Sequence, residues 1–258
     1  MPLIYPGGSL RPTHMLIGGL EKLTLLDYPD NLAAIVFTQG CNFRCHFCYN
    51  PMLVLPRTSE VTVEDEKDKE KGYPLIQEDD LFLFLGSRRG KIDGVVITGG
   101  EPTLHPDLPE FIRKIKSMGL LVKLDSNGTN PEMLMRLISE KLIDYIAMDI
   151  KAPWEKYAAV VGVVVDLENL QKSVKMIMAS GLPYEFRTTL VPGLHEIDDI
   201  AKMGVMIKGA NRWYLQKFKP DVGLVDTSFE GKETFLDKDL EALALIGSDF
   251  VKECRARI

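Results

Sequence analysis

This chain lacks any long apolar run among its 258 residues. Its longest apolar stretches, such as residues 32–37, are much shorter than the roughly 20 residues that a membrane-spanning helix needs. The first residues carry Pro2, Pro6 and Pro12, where an export signal would need an apolar helical core. We therefore expect no membrane partner, no export signal and a cytoplasmic location.

Excess positive charge is missing as well. The chain has 31 Lys and Arg against 37 Asp and Glu, a formal net charge of −6 and a pI near 5.4. No broad basic field is available to hold a nucleic-acid backbone, so we expect no nucleic-acid partner. The apolar content of 45% is typical of a globular protein. We expect a single domain over residues 1–258, with 1–13 flexible, a charged insert at 57–75 and a C-terminal extension at 221–258.

Cysteine is scarce, and its four copies are unevenly placed. Three lie close together and Cys254 stands alone, which is the wrong pattern for a disulfide framework in a chain of this length. We interpret Cys254 as a small buried side chain on a last strand. The trio is more typical of metal or redox chemistry in a reducing compartment.

Apolar segments with strand-like and helix-like patterns alternate along the chain. This alternation indicates parallel strands joined by crossovers, in a doubly wound sheet or a full or partial βα barrel. Residues 60–72 are densely charged without apolar periodicity and are predicted to be a solvated loop or helical turn without a function. The predicted strands are 32–38, 94–98, 120–124, 145–150, 184–191, 212–218 and 254–258; the predicted helices are 78–85, 108–117, 131–141, 167–180, 198–208 and 238–250.

Several polar and glycine residues directly follow predicted strands. In α/β folds of this kind, the carboxyl ends of the strands carry the chemistry. We therefore expect a functional site built from these residues: Gly99, Gly100 and Glu101 after the second strand, Asp125 and Ser126 after the third, and Asp149 and Lys151 at the end of the fourth.

The cysteine trio has the spacing C-x3-C-x2-C within the string CNFRCHFCYN. A 4Fe–4S cluster is ordinarily held by four thiolates, so Cys41, Cys45 and Cys48 would leave one iron open to an outside ligand. The alternative is a structural zinc site, which needs a closed tetrahedron of ligands. His46 is the neighbouring histidine, but the tight turn between Cys45 and Cys48 can hardly direct its ring at the same metal.

Together, CNFRCHFCYN after the first predicted strand and TGGEP after the second resemble the radical S-adenosylmethionine (SAM) superfamily. The resemblance implies a partial (β/α)6 barrel, one 4Fe–4S cluster and reductive cleavage of SAM to a radical that abstracts hydrogen. By matching position, the resemblance implies that Cys41, Cys45 and Cys48 are the cluster ligands and that Phe47 lies beside the adenine of SAM. It places Gly99 and Gly100 at the methionine end of SAM, where Glu101 accepts from the ammonium group. Relatives often have His where this chain has Tyr49, so Tyr49 would contact the cofactor through its backbone or its phenol.

Further strings narrow the resemblance to activating enzymes of glycyl radical proteins, especially of anaerobic ribonucleoside-triphosphate reductase. LLDYPD, KLDSNGTNP, YIAMDIKAP, FRTTLVPG and YLQKFKP carry it over roughly residues 14–220. The resemblance implies that residues matching Asp125, Ser126, Asp149 and Lys151 line the cofactor and a nearby monovalent cation. Hard oxygen donors suit an alkali cation, although the two aspartates could instead be helix caps. A glycyl radical enzyme as substrate, and ferredoxin or flavodoxin as electron donor, are the implied partners.

Two further residues bear on this site. Arg187 lies inside an apolar predicted strand, where an unpaired charge is costly, so we expect it to pair with the cofactor carboxylate, with Glu101 or with another acidic neighbour. His195 follows a loop sequence, and loop histidines are usually solvated. Two other functions stay open: a radical SAM enzyme acting on a small molecule, peptide or nucleotide, and a noncatalytic metal-binding or electron-transfer module.

Overall fold

The computed structural model describes residues 15–54 and 75–258. The predictions for residues 1–13 and for the charged segment 60–72 therefore lie outside the described residues, as does nearly all of the insert at 57–75. In the part of the chain that the structure describes, no helix has the length and apolar character needed to cross a membrane.

Strands and helices alternate along the described ranges. The strands are β1 (Ile17–Thr24), β2 (Ala33–Thr38), β3 (Gly94–Gly99), β4 (Leu121–Ser126), β5 (Tyr145–Asp149), β6 (Tyr184–Leu190), β7 (Trp213–Lys217) and β8 (Cys254–Arg257). The helices are α1 (Pro51–Val54), α2 (Glu78–Ser87), α3 (Leu108–Ser117), α4 (Pro131–Ser139), α5 (Tyr157–Val161), α6 (Leu167–Ala179), α7 (Ile197–Met206) and α8 (Asp237–Gly247). Short 3-10 helices cover Pro102–Leu104, Trp154–Lys156 and Thr227–Phe229.

The strands follow chain order, from β1 to β8, in a sheet of eight. Strand β1 pairs antiparallel with β2, whereas β2 with β3, β3 with β4, and the successive pairs from β5 to β8 are parallel. This predominantly parallel α/β arrangement confirms the predicted fold class, a partial βα barrel. The predicted strands and long helices are confirmed with ends that differ by a few residues.

Strand β1 was not predicted. Its sequence, IGGLEKLT, contains two glycines and two adjacent charged residues, which weaken a strand pattern. Its pairing with β2 contains two register shifts, between Ile17 and Gly19 and between Glu21 and Thr24. These irregularities explain why the period-2 signal was absent from the sequence.

Two compact units are built from interleaved segments of the chain. In its described part, the first unit comprises residues 15–42, 50–54, 75–124 and 136–144. Its core is formed by apolar strand residues such as Val36 and Val96, which are fully buried, and by the buried face of α3. Helix α3 begins with Pro109 in its first turn and carries Lys114 and Lys116 in its last turn, both favourable for a helix.

The second unit comprises residues 43–49, 125–135 and 145–258. Helix α6 begins at the N-cap Asp166, whose side chain accepts from two backbone N–H groups, and buries Leu170, Val174 and Ile177 on one face. Strand β8 lies beside β7, and Cys254 is buried there, as predicted. The C-terminal extension therefore adds another strand to this unit.

Candidate functional site

The three cysteines lie between β2 and α1, in a segment that we call the cysteine loop. Its first residues belong to the first unit and are held by backbone hydrogen bonds. The N–H groups of Gly40 and Cys41 donate to the carbonyls of Leu53 (2.7 Å) and Val54 (3.1 Å) in α1. From the end of β3, the N–H of Gly100 donates to the carbonyl of Thr38 (2.8 Å), and that of Glu101 to Gly40 (2.8 Å). The approach to Cys41 is thus fixed by the main chain on two sides.

Gly99 and Gly100 are required for this close approach. Gly99 has a φ of 113°, which favours glycine, and a Cβ there would lie 2.3 Å from the Thr38 nitrogen. A Cβ on Gly100 would lie 2.0 Å from the Gly40 carbonyl oxygen. Both glycines therefore have a packing role at the base of the cysteine loop, and their contact with the methionine end of a cofactor stays a prediction.

Glu101 is almost fully buried and acts as the N-cap of the 3-10 helix Pro102–Leu104. Its Oε1 accepts from the backbone N–H (3.1 Å) and the hydroxyl (2.5 Å) of Thr103. The carboxylate is therefore held in one orientation by its own turn, and its contact with an ammonium group stays a prediction. Nearby, buried His105 places Nε2 3.0 Å from the carbonyl of Gln39, a contact that sequence reasoning missed.

The later cysteines lie in the second unit. Cys45 is buried and Cys48 is partly exposed. The N–H of Cys48 donates to the carbonyl of Cys45 (3.1 Å), which closes a tight turn. Burial raises the pKa of Cys45 to about 12, while the positive charge of Lys151 partly opposes this. A metal centre binds thiolates, so the charge of the iron would have to stabilise the ionised sulfur.

The ring of His46 is engaged away from the cysteine sulfurs that flank it. Its Nδ1 lies 2.9 Å from Asp226 Oδ2, and its Nε2 lies 3.1 Å from the carbonyl of Ala159. The ring also stacks on Phe229, with centroids 5.6 Å apart. These contacts agree with the argument that the turn keeps His46 from sharing a metal with its neighbours.

Tyr49 packs against the chain that follows β7. Its hydroxyl oxygen accepts from the N–H of Lys219 (2.9 Å), and its ring stacks on Phe218 at 6.2 Å. Burial raises the pKa of Tyr49. A contact between Tyr49 and a cofactor stays a prediction, and the structure gives the phenol a structural role of its own.

A group of four charged side chains is formed by Asp125 near the end of β4, Asp149 at the end of β5, Lys151 just after β5, and Arg187 in the middle of β6. Arg187 donates from Nη1 to Asp125 Oδ2 (2.8 Å) and from Nε to Asp149 Oδ1 (2.9 Å). Lys151 Nζ donates to Asp149 Oδ2 (3.0 Å). Of the partners expected for Arg187, the structure thus shows acidic neighbours, Asp125 and Asp149. Two carboxylates and two cations balance in charge, as a buried group requires.

The pKa values of this group follow from mutual pairing. Burial alone would raise the pKa of Asp149, but Arg187 and Lys151 hold it at about 2. Burial alone would lower the pKa of Lys151, but the Asp149 carboxylate outweighs it and raises that pKa. The pKa of Arg187 is raised in the same way by Asp125 and Asp149. Asp149, Lys151 and Arg187 therefore stay ionised at neutral pH.

The two aspartates are not helix caps, the alternative left open by the sequence. Asn130 supplies the side chain that accepts from Met133 N–H in α4, and Pro153 is the N-cap of the 3-10 helix after β5. Ser126 is buried, and its hydroxyl accepts from the N–H of Gly128 (3.0 Å) in the turn after β4. The roles of these residues in holding a cofactor or cation stay predictions.

His195 is buried rather than solvated, so that expectation was wrong. Its Nδ1 accepts from Val191 N–H (3.0 Å), so Nε2 carries the proton and donates to the carbonyl of Lys151 (2.7 Å). Burial lowers the pKa of His195, which favours this neutral form. Its ring also meets the edge of Phe47 at 6.3 Å, and Lys151 Nζ lies 5.9 Å from the Phe47 ring. His195 therefore positions Lys151 and Phe47.

The donor set fits an iron–sulfur cluster with three protein ligands. Cys41, Cys45 and Cys48 supply three thiols within one short segment of the chain, and Lys151 provides a positive charge that favours ionisation of Cys45. Within residues 15–54 and 75–258, no group of three or more His, Cys, Asp or Glu side chains is arranged to hold a single metal ion. A cubane cluster does not require such convergence, because each thiolate binds a different iron.

Comparison with known proteins decides the family. A family model described as the radical SAM superfamily matches residues 35–203. This chain belongs to the radical SAM superfamily. The matched region begins in β2 and ends in α7, and so includes the cysteine trio and the charged group. Radical SAM proteins use a 4Fe–4S cluster and SAM, so membership confirms the prediction of an enzyme of the oxidoreductase type.

This radical SAM chain is similar in sequence to two known proteins and in fold to one solved structure. MJ1227 of Methanocaldococcus jannaschii, provisionally named a glycyl-radical enzyme activating enzyme, is 32% identical over 92% of this chain and 93% of its own. A protein of Thermococcus kodakarensis assigned as a GTP 3',8-cyclase is 24% identical over 67% of this chain and 54% of its own. The crystal structure of Streptococcus suis SuiB bound to precursor peptide SuiA has a TM-score of 0.61 and 15% identity, over 87% of this chain and 48% of that one, and shows the fold alone.

Proposed function

We propose that this radical SAM chain is an activating enzyme, which removes one hydrogen atom from a glycine of a partner glycyl radical enzyme. The proposed partner is anaerobic ribonucleoside-triphosphate reductase. The observation that carries the proposal is the match to MJ1227 over nearly the full length of both chains. By contrast, this chain spans only 54% of the GTP 3',8-cyclase relative.

The residues of the site divide into two groups in this proposal. Cys41, Cys45 and Cys48 hold the single cluster, which, when bound, supplies the electron that cleaves SAM into methionine and a 5'-deoxyadenosyl radical. The other residues would bind and orient SAM: Gly99, Gly100 and Glu101 its methionine end, Phe47 its adenine, and Tyr49, Asp125, Ser126, Asp149, Lys151 and Arg187 the remaining contacts.

The ion pairs that join Arg187 and Lys151 to Asp125 and Asp149 support this proposal, because they would hold a charged binding surface in a fixed arrangement. Arg187 and Lys151 are held by Asp125 and Asp149 with side chains that are at most 23% exposed. Such a surface is already oriented before a charged ligand arrives, which reduces the cost of reorganisation during reaction. A monovalent cation beside Asp125, Ser126 and Asp149 is part of the proposal. Asp125 and Asp149 are already paired with the positively charged side chains of Arg187 and Lys151, so the affinity of the site for a further cation should be modest.

The atoms and electrons of the proposed reaction balance with one external reductant. With the cluster and SAM bound, one electron from that reductant would allow the carbon–sulfur bond of SAM to break, giving methionine and a 5'-deoxyadenosyl radical. Transfer of one hydrogen atom from the partner's glycine would then give 5'-deoxyadenosine and leave the glycyl radical on the partner. We propose reduced ferredoxin or flavodoxin as the electron source and the cytoplasm as the setting.

The decisive experiment is anaerobic incubation of the reconstituted protein with the reductase, SAM and a reductant. We expect a glycyl doublet by electron paramagnetic resonance and one deoxyadenosine for each radical formed. Cys48→Ala, which removes one cluster ligand, is the matched negative control. Deoxyadenosine formation without a protein radical would contradict the activase assignment.

A second candidate is a radical SAM enzyme that acts on a nucleotide. The likeness to a GTP 3',8-cyclase is the observation that favours it. The same assay with GTP in place of the reductase separates the two candidates, because only a nucleotide substrate would be consumed together with SAM. Consumption of GTP without radical formation on the reductase would favour this second candidate.

A further inference from the structure

The loop after β7 contacts the turn that carries Cys45 and Cys48 through both its backbone and its side chains. We call residues 218–234 the clamp loop. It closes on itself through Gly231 N–H to the Pro220 carbonyl (3.1 Å) and Thr234 hydroxyl to the Phe218 carbonyl (3.0 Å). Inside it, Leu224 is buried and its N–H donates to Glu230 Oε1 (3.0 Å). The clamp loop therefore has an internal framework of its own.

Two backbone hydrogen bonds join the clamp loop to the cysteine turn. The N–H of Val225 donates to the carbonyl of Cys48, and the N–H of Asp226 donates to the carbonyl of His46, each at 3.1 Å. These carbonyls belong to a cluster ligand and to the residue after Cys45. Because two consecutive N–H groups bind carbonyls at two different points of the turn, they restrain both its position and its direction.

Side chains reinforce the same junction. Asp226 uses Oδ2 to pair with His46 Nδ1 and Oδ1 to accept from Ser228 N–H (3.0 Å), which caps the short helix Thr227–Phe229. That helix presents Phe229 to the face of the His46 ring. On the other side of the ring, Nε2 lies against the Ala159 carbonyl of α5. His46 thus bridges α5 and the clamp loop.

We infer that His46 and Asp226 are positioning residues, which hold the Cys45–Cys48 turn in its cluster-binding form before iron arrives. The inference rests on the proposed function for the identity of the cluster, but not for the substrate. Neither residue binds iron in this scheme. Their effect is to restrict the turn, as partners of metal ligands commonly do.

The test compares Asp226→Asn with Asp221→Asn. Asp221 lies in the same clamp loop and is exposed, and within the described residues no hydrogen bond or ion pair joins it to the turn that carries Cys45 and Cys48. In cluster-free protein, we expect Asp226→Asn to speed hydrogen exchange in residues 45–49 and at the Val225 amide, with Asp221→Asn unchanged. After reconstitution, iron should be lost to a chelator about 10-fold faster from Asp226→Asn, as for other partners of metal ligands.

A second variant tests whether misfolding of Asp226→Asn could account for the result. Phe229→Leu keeps the backbone pairing but removes the ring beneath His46, and should give a smaller increase in both rates with an unchanged circular dichroism spectrum. Equal exchange and equal iron loss in Asp226→Asn and Asp221→Asn would overturn the inference. A wild-type protein that takes up no iron–sulfur cluster would instead contradict the proposed function, and the exchange comparison on cluster-free protein would still decide whether the clamp loop holds the turn.

Discussion

Each of the two units of this chain holds its own candidate residues in place, and the two do so by different means. In the first unit, the approach to Cys41 is held by main-chain hydrogen bonds and by the absence of side chains at Gly99 and Gly100. In the second unit, Lys151 and Arg187 are held by carboxylates, and His46 by a carboxylate and an aromatic ring. The stability of the first unit should therefore fall when a side chain is added at one of these glycines. The stability of the second unit should fall when a charged or hydrogen-bonding group is removed, even if the size of the side chain is kept.

The largest expected effect is in the second unit, at Arg187. Arg187→Met keeps much of the length of the side chain but leaves Asp125 and Asp149 without their shared cation. Removing one partner of a buried ion pair costs roughly 4 kcal/mol, so the free energy of unfolding in urea should fall by about that amount.

Arg113→Met is the matched control for Arg187→Met. Arg113 pairs with Glu110 and Glu140, but its side chain is 41% exposed. Exposed ion pairs contribute little to stability, so this variant should unfold close to wild type. Similar losses of unfolding free energy in the two variants would show that burial does not make the ion pairs of Arg187 more important for stability than those of Arg113.

The next effect is in the first unit, at Gly100. Gly100→Ala places a methyl group against the Gly40 carbonyl, which is backbone and cannot rotate away. Overpacking of this kind costs about 3 kcal/mol, and the shift should also weaken iron binding at Cys41. Unfolding in urea and the iron content after reconstitution measure the two effects.

Gly86→Ala is the matched control for Gly100→Ala in the same unit. Gly86 lies in α2, and a Cβ there would meet only the end of Met118, at 3.8 Å. Alanine favours helix over glycine by about 1 kcal/mol, so Gly86→Ala should be neutral or slightly stabilising. A stable Gly100→Ala with full iron content would contradict the role assigned to backbone packing.

The pH dependence of stability tests the charged group by another route. The pKa of Asp149 is lowered from 3.8 to about 2, so its ion pairs stabilise the fold fully above pH 4. That contribution is lost as the pH falls towards 2, when the folded carboxyl takes up its proton. The expected loss is about 2 kcal/mol.

Asp149→Asn isolates this contribution from that of the other carboxyl groups. The difference in unfolding free energy between wild type and Asp149→Asn should shrink between pH 4 and pH 2. A constant difference over that interval would mean that Arg187 and Lys151 do not lower the pKa of Asp149.

The smallest effect is expected at Tyr49. Tyr49→Phe keeps the ring on Phe218 but removes the oxygen that accepts from Lys219 N–H. A hydrogen bond of this kind contributes about 1 kcal/mol, so thermal unfolding should shift by only a few degrees. Complete loss of SAM cleavage with unchanged stability would indicate that the phenol contacts the cofactor directly.

The sequence predicted most of the fold because its periodic patterns are strong. The parallel strands are short β-branched runs, and α3 and α6 each bury one clear apolar face. Strand β1 and helices α1 and α5 were missed. Helices α1 and α5 have only 4 and 5 residues, too few to show a helical period, and they depend on tertiary contacts.

The candidate site was predicted residue by residue, but its internal pairing was not. Which acid would meet Arg187 depended on how β4, β5 and β6 align, and sequence spacing does not give that alignment. His195 was read as a loop histidine because its acceptor, the Lys151 carbonyl, is 44 residues away. The contact of Asp226 with His46, 180 residues apart, had no signal in a single sequence.

The most direct measurement for the account is spectroscopy of the anaerobically reconstituted protein before and after SAM is added. Three thiolates should give a 4Fe–4S cluster whose reduced electron paramagnetic resonance spectrum changes when SAM binds the iron left open by Cys41, Cys45 and Cys48. A cluster with a spectrum indifferent to SAM, or stoichiometric zinc in place of iron, would contradict it.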